Sequence, residues 1–159
     1  MVILILGWVQ GGDLLELHQQ QDDKPAKASS GEVERIGIER LRCYAGCQDY
    51  TLIVEADGHF TYEGRYDVER MGRHTGTVAD WYLLRVIDFM EDMNFMQLNT
   101  SYTNEFLDGP SVYTMMEKGG SVHVVENYAS EGPASLWALE QLIDEMLETA
   151  EWDSPEEAM

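Results

Sequence analysis

Apolar positions in this chain repeat with two different periods, and turn residues mark where one gives way to the other. From Glu32 to Leu41 the alternation is loose, with Ile36 and Ile38 on one face, and it predicts a first strand. The stretch CYAGCQDYTLIVEADGHFTYEGR, Cys43 to Arg65, alternates around Asp57-Gly58. Tyr50, Leu52 and Val54 share a face before that turn, and Phe60 and Tyr62 share one after it. Asp-Gly between alternating segments predicts a hairpin, because a type I′ turn needs positive φ at both central residues. A Gly- and Arg-rich loop is expected from Val68 to Gly76, and then the period lengthens. Leu83, Val86, Ile87 and Met90 stand at i, i+3, i+4 and i+7, predicting a helix capped by Thr77, with Asp80 in its first turn and an end near Met93-Asn94. A polar segment, NTSYTNEFLDGP, leads to a second hairpin, Ser111 to Glu117 and Ser121 to Tyr128, about Gly119-Gly120. Pro133 suits the opening of a last helix. There Leu136, Leu139, Ile143, Met146 and Leu147 form the apolar stripe, continued by Ala150.

Each half thus reads as a hairpin followed by a helix, with Tyr50-Thr51 before the first turn matched by Tyr113-Thr114 before the second. The implied fold class is α+β: one antiparallel sheet from two hairpin–helix units, β-ββ-α-ββ-α, with both helices on one face. At 159 residues one domain suffices. Its expected extent is 32–152, preceded by an apolar N-terminus and linker over 1–31 and followed by an acidic tail over 153–159. Met1 to Val9 is apolar, but a membrane-spanning helix needs about 20 such residues. It also lacks the basic flank and small-residue cleavage site of a signal peptide, so an edge strand or a sticky tail is the simpler expectation. Gln10 to Gly31, rich in Gln, Asp, Lys, Ala and Ser, reads as a flexible linker with nothing to bury.

Charge changes the picture most. Acidic residues number 30 against 10 basic ones, a net of −20. Residues 1–90 hold 15 acids and 9 bases, a net of −6, and residues 91–159 hold 15 acids against Lys118 alone, a net of −14. Binding nucleic acid or an anionic membrane requires Lys and Arg to displace counterions, so direct nucleic-acid binding is not expected. The partner this charge admits is a basic protein or a cation. On the last helix Glu140, Asp144, Glu148 and Glu151 fall at i, i+4, i+8 and i+11, with Glu145 beside them. They read as a carboxylate column that a basic groove would meet, as it meets a nucleic-acid mimic. The plainer reading is a solvated face that keeps the protein soluble.

Candidate chemistry is sparse. Cys43 and Cys47, the only cysteines, admit a small structural disulfide, two plain thiols, or a redox or metal pair. A zinc site wants a second closely spaced pair of ligands, and the sequence has none. His59 and His123 fall in the second strands of the two hairpins. With Glu63 they would hold a metal only if those strands were neighbours, and the expectation is two ordinary strand residues and no metal. There is no G-x-S-x-G, no H-E-x-x-H and no glycine-rich phosphate loop, so no catalytic residue and no cofactor are expected.

Cys43-Tyr44-x-x-Cys47-x-x-Tyr50, then a strand, Asp57-Gly58 and Tyr62-x-Gly64-Arg65, resembles a family of bacterial domains of unknown function that read C-F-G-x-C-P-x-Y through this element. Pro133-x-x-Leu136, Ile143-Asp144 and Trp152 are similar to that family's last helix, so the resemblance spans Glu34 to Trp152. Gly46 stands one place late and Gln48 replaces the usual proline, which implies a different loop backbone. The resemblance bears on the fold and carries no activity.

Two functions of different class follow. The first is a non-catalytic interaction module, cytoplasmic, binding a basic protein partner through the acidic helix or the open sheet face. The second is an exported, periplasmic envelope domain, with residues 1–9 in a signal segment, a structural Cys43–Cys47 disulfide and a role in binding a small ligand or a cation.

Overall fold

The computed structural model describes residues 13–21, 32–105 and 108–155. Met1 to Val9, most of the expected linker and residues 156–159 of the acidic tail lie outside them. The chain is α+β, with three α-helices and one eight-stranded, mostly antiparallel sheet among the described residues. β1 (Val33–Arg40) is central. It pairs antiparallel with β2 (Asp49–Glu55) on one side and β6 (Ser111–Lys118) on the other, aligning Ile36 and Ile38 with Val54 and Leu52 and with Met116 and Thr114. β3 (His59–Tyr66) and β4 (Gly72–Thr77) extend the β2 side, and β7 (Ser121–Tyr128) extends the β6 side.

The two predicted turns differ in kind. Gly119 and Gly120 have φ of 57° and 78°, the two positive values a two-residue type I′ loop requires. At the first turn only Gly58 is positive, at 93°, and three residues separate Glu55 from His59. This is the longer hairpin loop ending in a left-handed glycine, so the type I′ expectation does not hold there.

α2 (Asp80–Asp92) carries the chain from the β4 edge to the far edge, where β5 (Ser101–Tyr102) runs parallel to β7. α3 (Ala134–Glu148) brings it back to β8 (Glu151–Trp152), which pairs with β4. Leu83, Val86 and Met90 of α2 and Leu136, Leu139, Ile143 and Met146 of α3 share one core with Ile36, Ile38, Leu52 and Val54. The sheet face around Tyr50, Phe60 and Tyr62 is therefore buried beneath helices. Ala79, which makes no side-chain cap, stands at the N-cap position of α2 in place of Thr77, because Thr77 is still paired in the sheet.

Besides a 3-10 turn at Phe95–Gln97, four elements were not foreseen. β4 lies within the expected loop. Its sequence GRHTGT lacks apolar alternation, and it joins the sheet near the edge through backbone pairing with β3. β5 and β8 are two-residue strands, too short to show a period. The fourth corrects the linker: Asp13–Gln20 forms a helix, α1, on the opposite face of the sheet. Its Leu14 is fully buried against Ile53, Tyr113, Met115 and Val124. The side-chain amide of Gln21, just beyond it, brackets β7 by accepting from the Val124 N–H at 2.9 Å and donating to the Val124 carbonyl.

Glycine is required at one position that shapes the site. A Cβ on Gly64 would collide with the carbonyl of Arg70, where the loop from β3 to β4 folds back over the strand. Gly64→Ala should force that loop away and cost about 1–3 kcal/mol, read as a lower urea midpoint with an unchanged m-value.

Candidate functional site

The acidic residues of the last helix do not form a column. Four residues of an α-helix overshoot a full turn by about 40°, so a series at i, i+4 and i+8 winds around the axis. Glu140 is turned inward and buried, Asp144 sits half-buried at the rim, and Glu148 is exposed. α3 ends at Glu148, so Glu151 belongs to β8, where it pairs with Thr77. Glu145 is exposed on another side of the helix and accepts from the Tyr82 hydroxyl at 3.4 Å. Lysine at all four positions of the expected column would thus bury cations at 140 and 144.

Two of these carboxylates have defined partners. Glu140 accepts from Asn127 Nδ2 at 2.8 Å, and Asn127 accepts in turn from the Gly132 N–H at 2.8 Å. Burial pushes the Glu140 carboxyl up to about 7, against the opposing pull of that hydrogen bond and of Arg40. Asp144 receives the Arg40 guanidinium at 2.6 and 3.3 Å and the hydroxyl of Tyr50. Burial raises the Asp144 carboxyl above its ordinary value, while Arg40 draws it down.

Asp144 forms part of the wall of a cleft of about 360 Å³ between the C-terminal end of α3, the β2–β3 hairpin and the β3–β4 loop. Tyr50, Tyr62, Trp152, Glu69, Arg70 and Glu148 complete most of that wall. Trp152 stands edge-on to Phe60 and Tyr62, with ring centroids 4.9 and 5.3 Å apart, so its orientation is fixed from two sides. The Arg70 guanidinium lies over its ring, 4.3 Å from the centroid. A second cleft, of about 300 Å³, lies beyond Asp144 against Arg40, Cys47 and Gln141. Gln48 borders both.

Cys43 and Cys47 are joined in a disulfide, with Cα atoms 5.1 Å apart, and the Cys47 N–H points at Cys43 Sγ at 3.0 Å. The ring they close is a tight turn with Tyr44 at its tip, 96 % exposed. Thus Tyr50, Tyr62, Asp144 and Trp152, separate in the sequence, converge on one cleft, and the disulfide turn leads directly into its Gln48 rim. Arg65 points to the opposite face, where it donates to Asp49 at 2.6 Å and to Thr51 at 2.9 Å. His59 and His123 are not brought together, because three strands lie between β3 and β7. His59 is exposed, whereas His123 is buried and hydrogen-bonds the Leu98 carbonyl at 2.9 Å. Among the described residues no group of three or more His, Cys, Asp and Glu is placed to hold a metal, and no helix is long and apolar enough to cross a membrane.

The fold and cleft define a small acidic α+β domain with a disulfide turn. The chain belongs to the family described as domain of unknown function (DUF6438), whose model matches residues 34–147. No curated protein and no solved structure matches it.

Proposed function

We propose that this chain is a non-catalytic interaction module, built as two hairpin–helix units around β1, whose acidic cleft receives a cationic group from a basic protein partner. The observation that carries this reading is the cleft itself. Glu69, Asp144 and Glu148 stand there beside Tyr62 and Trp152, in a chain of net charge −20. Carboxylates attract a cation by charge and aromatic faces by their quadrupole, and the two act together where a pocket excludes part of the water. The last helix of the second unit meets the hairpin of the first at this point, so the site depends on both halves.

Glu69 and Glu148 are exposed and form no ion pair among the described residues, so Glu69→Gln with Glu148→Gln leaves the core untouched. Exposed carboxylates contribute up to about 1 kcal/mol each, so the double variant should bind an arginine- and lysine-rich protein up to about thirtyfold more weakly. The difference should shrink as salt screens charges beyond about 8 Å. Equal affinities with no salt slope overturn the reading.

The disulfide favours a second reading, since such bonds persist in oxidising compartments. The chain would then be an exported envelope domain whose cleft takes a small cationic ligand. Trapping thiols by alkylation as cells are opened separates the two: alkylated Cys43 and Cys47 favour the cytoplasm, and unmodified cysteines favour the envelope.

A further inference from the structure

We infer that the ligand of the cleft is an arginine side chain, and that Arg70 holds its place in the free protein; this rests on reading the cleft as the binding site. Arg70 lies in the exposed loop between β3 and β4, and its guanidinium covers the Trp152 ring at 4.3 Å. That places the cation where the ring quadrupole attracts it, while the N–H donors of the planar guanidinium lie in the group's own plane. Among the described residues Arg70 forms no ion pair, although Glu69, Asp144 and Glu148 border the same cleft. The ring face is therefore the contact that holds it, and a second guanidinium can compete for that contact.

The cleft also distinguishes arginine from lysine. Its aromatic wall is fixed, because Trp152 is buttressed by Phe60, Tyr62 and, with centroids 6.1 Å apart, His74. Asp144 is already engaged from the far side by Arg40, at 2.6 Å. The carboxylates left for an incoming group are Glu69 and Glu148. A planar fork stacked on Trp152 presents in-plane donors toward such a rim, whereas an ammonium, a point charge, gains less from the flat ring face. Arg70 thus acts as an internal competitor: the free protein keeps its aromatic wall covered, and a partner arginine must displace it.

The test measures affinity of the full chain for an arginine–glycine repeat peptide and for its lysine counterpart. Arg70→Ala should tighten arginine-peptide binding about two- to fivefold, the equivalent of one exposed cation–π contact. The gain for the lysine peptide should be smaller. Removing any positive charge from this region favours a cationic ligand, so Arg73→Ala, which alters the net charge equally on the adjacent strand, serves as the control. Arg70→Lys keeps the charge and should still release part of the gain, because an ammonium stacks less well. A gain specific to Arg70 and to the arginine peptide supports the inference. Equal gains from Arg70→Ala and Arg73→Ala, or weaker binding by Arg70→Ala, overturn it. If that happens while Glu69→Gln with Glu148→Gln still weakens binding by the native chain, only the competitor role fails. If neither peptide binds any of these proteins, the cleft reading falls with it.

Discussion

Leu14→Ala should destabilise the domain by about 2–5 kcal/mol, the range for truncating a leucine in a well-packed core. Leu14 is fully buried, and its neighbours come from three strands: Ile53 from β2, Tyr113 and Met115 from β6, and Val124 from β7. α1 is only eight residues long, far short of what holds an isolated helix together in water, so docking on the sheet is what maintains it. The urea midpoint should fall, and amide exchange should quicken along α1 and the outer edge of β7. A midpoint equal to that of the native chain would mean that α1 contributes nothing to stability, as its reading as part of a linker implies.

Glu140→Gln should have the opposite sign. The folded-state pKa of Glu140, about 7, lies above the ordinary 4.5, so folding favours the protonated form. The stability this group supports is complete below about pH 4.5 and is lost as pH rises towards 7. The gap corresponds to about 3 kcal/mol once the carboxyl is ionised in both states. The groups facing it are Asn127 from β7 and Arg40 from β1, with Asp144 one turn further along α3. Glutamine keeps the oxygen that accepts from Asn127 and carries no charge at any pH. At pH 8 the variant should therefore melt about 10 °C higher than the native protein, and at pH 4 the two should melt together. A variant that melts lower at pH 8 would show that ionised Glu140 is stabilised in place, and the burial argument would fail.

How much of this was legible in the sequence depended on whether burial left a period. β3 alternates because only one of its faces is covered, β1, β2, β6 and β7 are buried on both faces and show as apolar runs between turn residues, and α2 and α3 show their stripes because each buries one side. β4 lies near the edge of the sheet, and β5 and β8 span a single peptide pair each, so none of the three carries a pattern. α1 was obscured by its setting: Leu14, Leu15 and Leu17 among Gln, Asp and His look too few to matter until the sheet face that receives Leu14 is known. For the cleft, Tyr50 and Tyr62 were recognised as strand positions and Asp144 as a helix position. What brings them together is the path of α3 back across β1, a long-range event that no local spacing encodes. Glu140 is set by simpler geometry, since residues four apart do not lie on a straight line along a helix that turns every 3.6. The drift of about 40° per step was itself calculable from the sequence.

The amide of Gln21 bears on how copies of this chain treat one another. A strand at the border of a sheet offers alternate N–H and C=O groups to any passing strand, and it is a nucleus for ribbon-like association. On β7 the Val124 groups are satisfied by a single glutamine side chain, and the Glu126 N–H is taken by the Thr100 carbonyl at 2.8 Å. One uncharged side chain thus stands in for a neighbouring strand. Its position depends on α1 staying docked, so the seal and the helix open together. When they do, the stretch of β7 before Glu126, which β5 does not pair, is opened to a strand of another molecule, and the mutual repulsion of net charges of −20 becomes the barrier that keeps the chains apart.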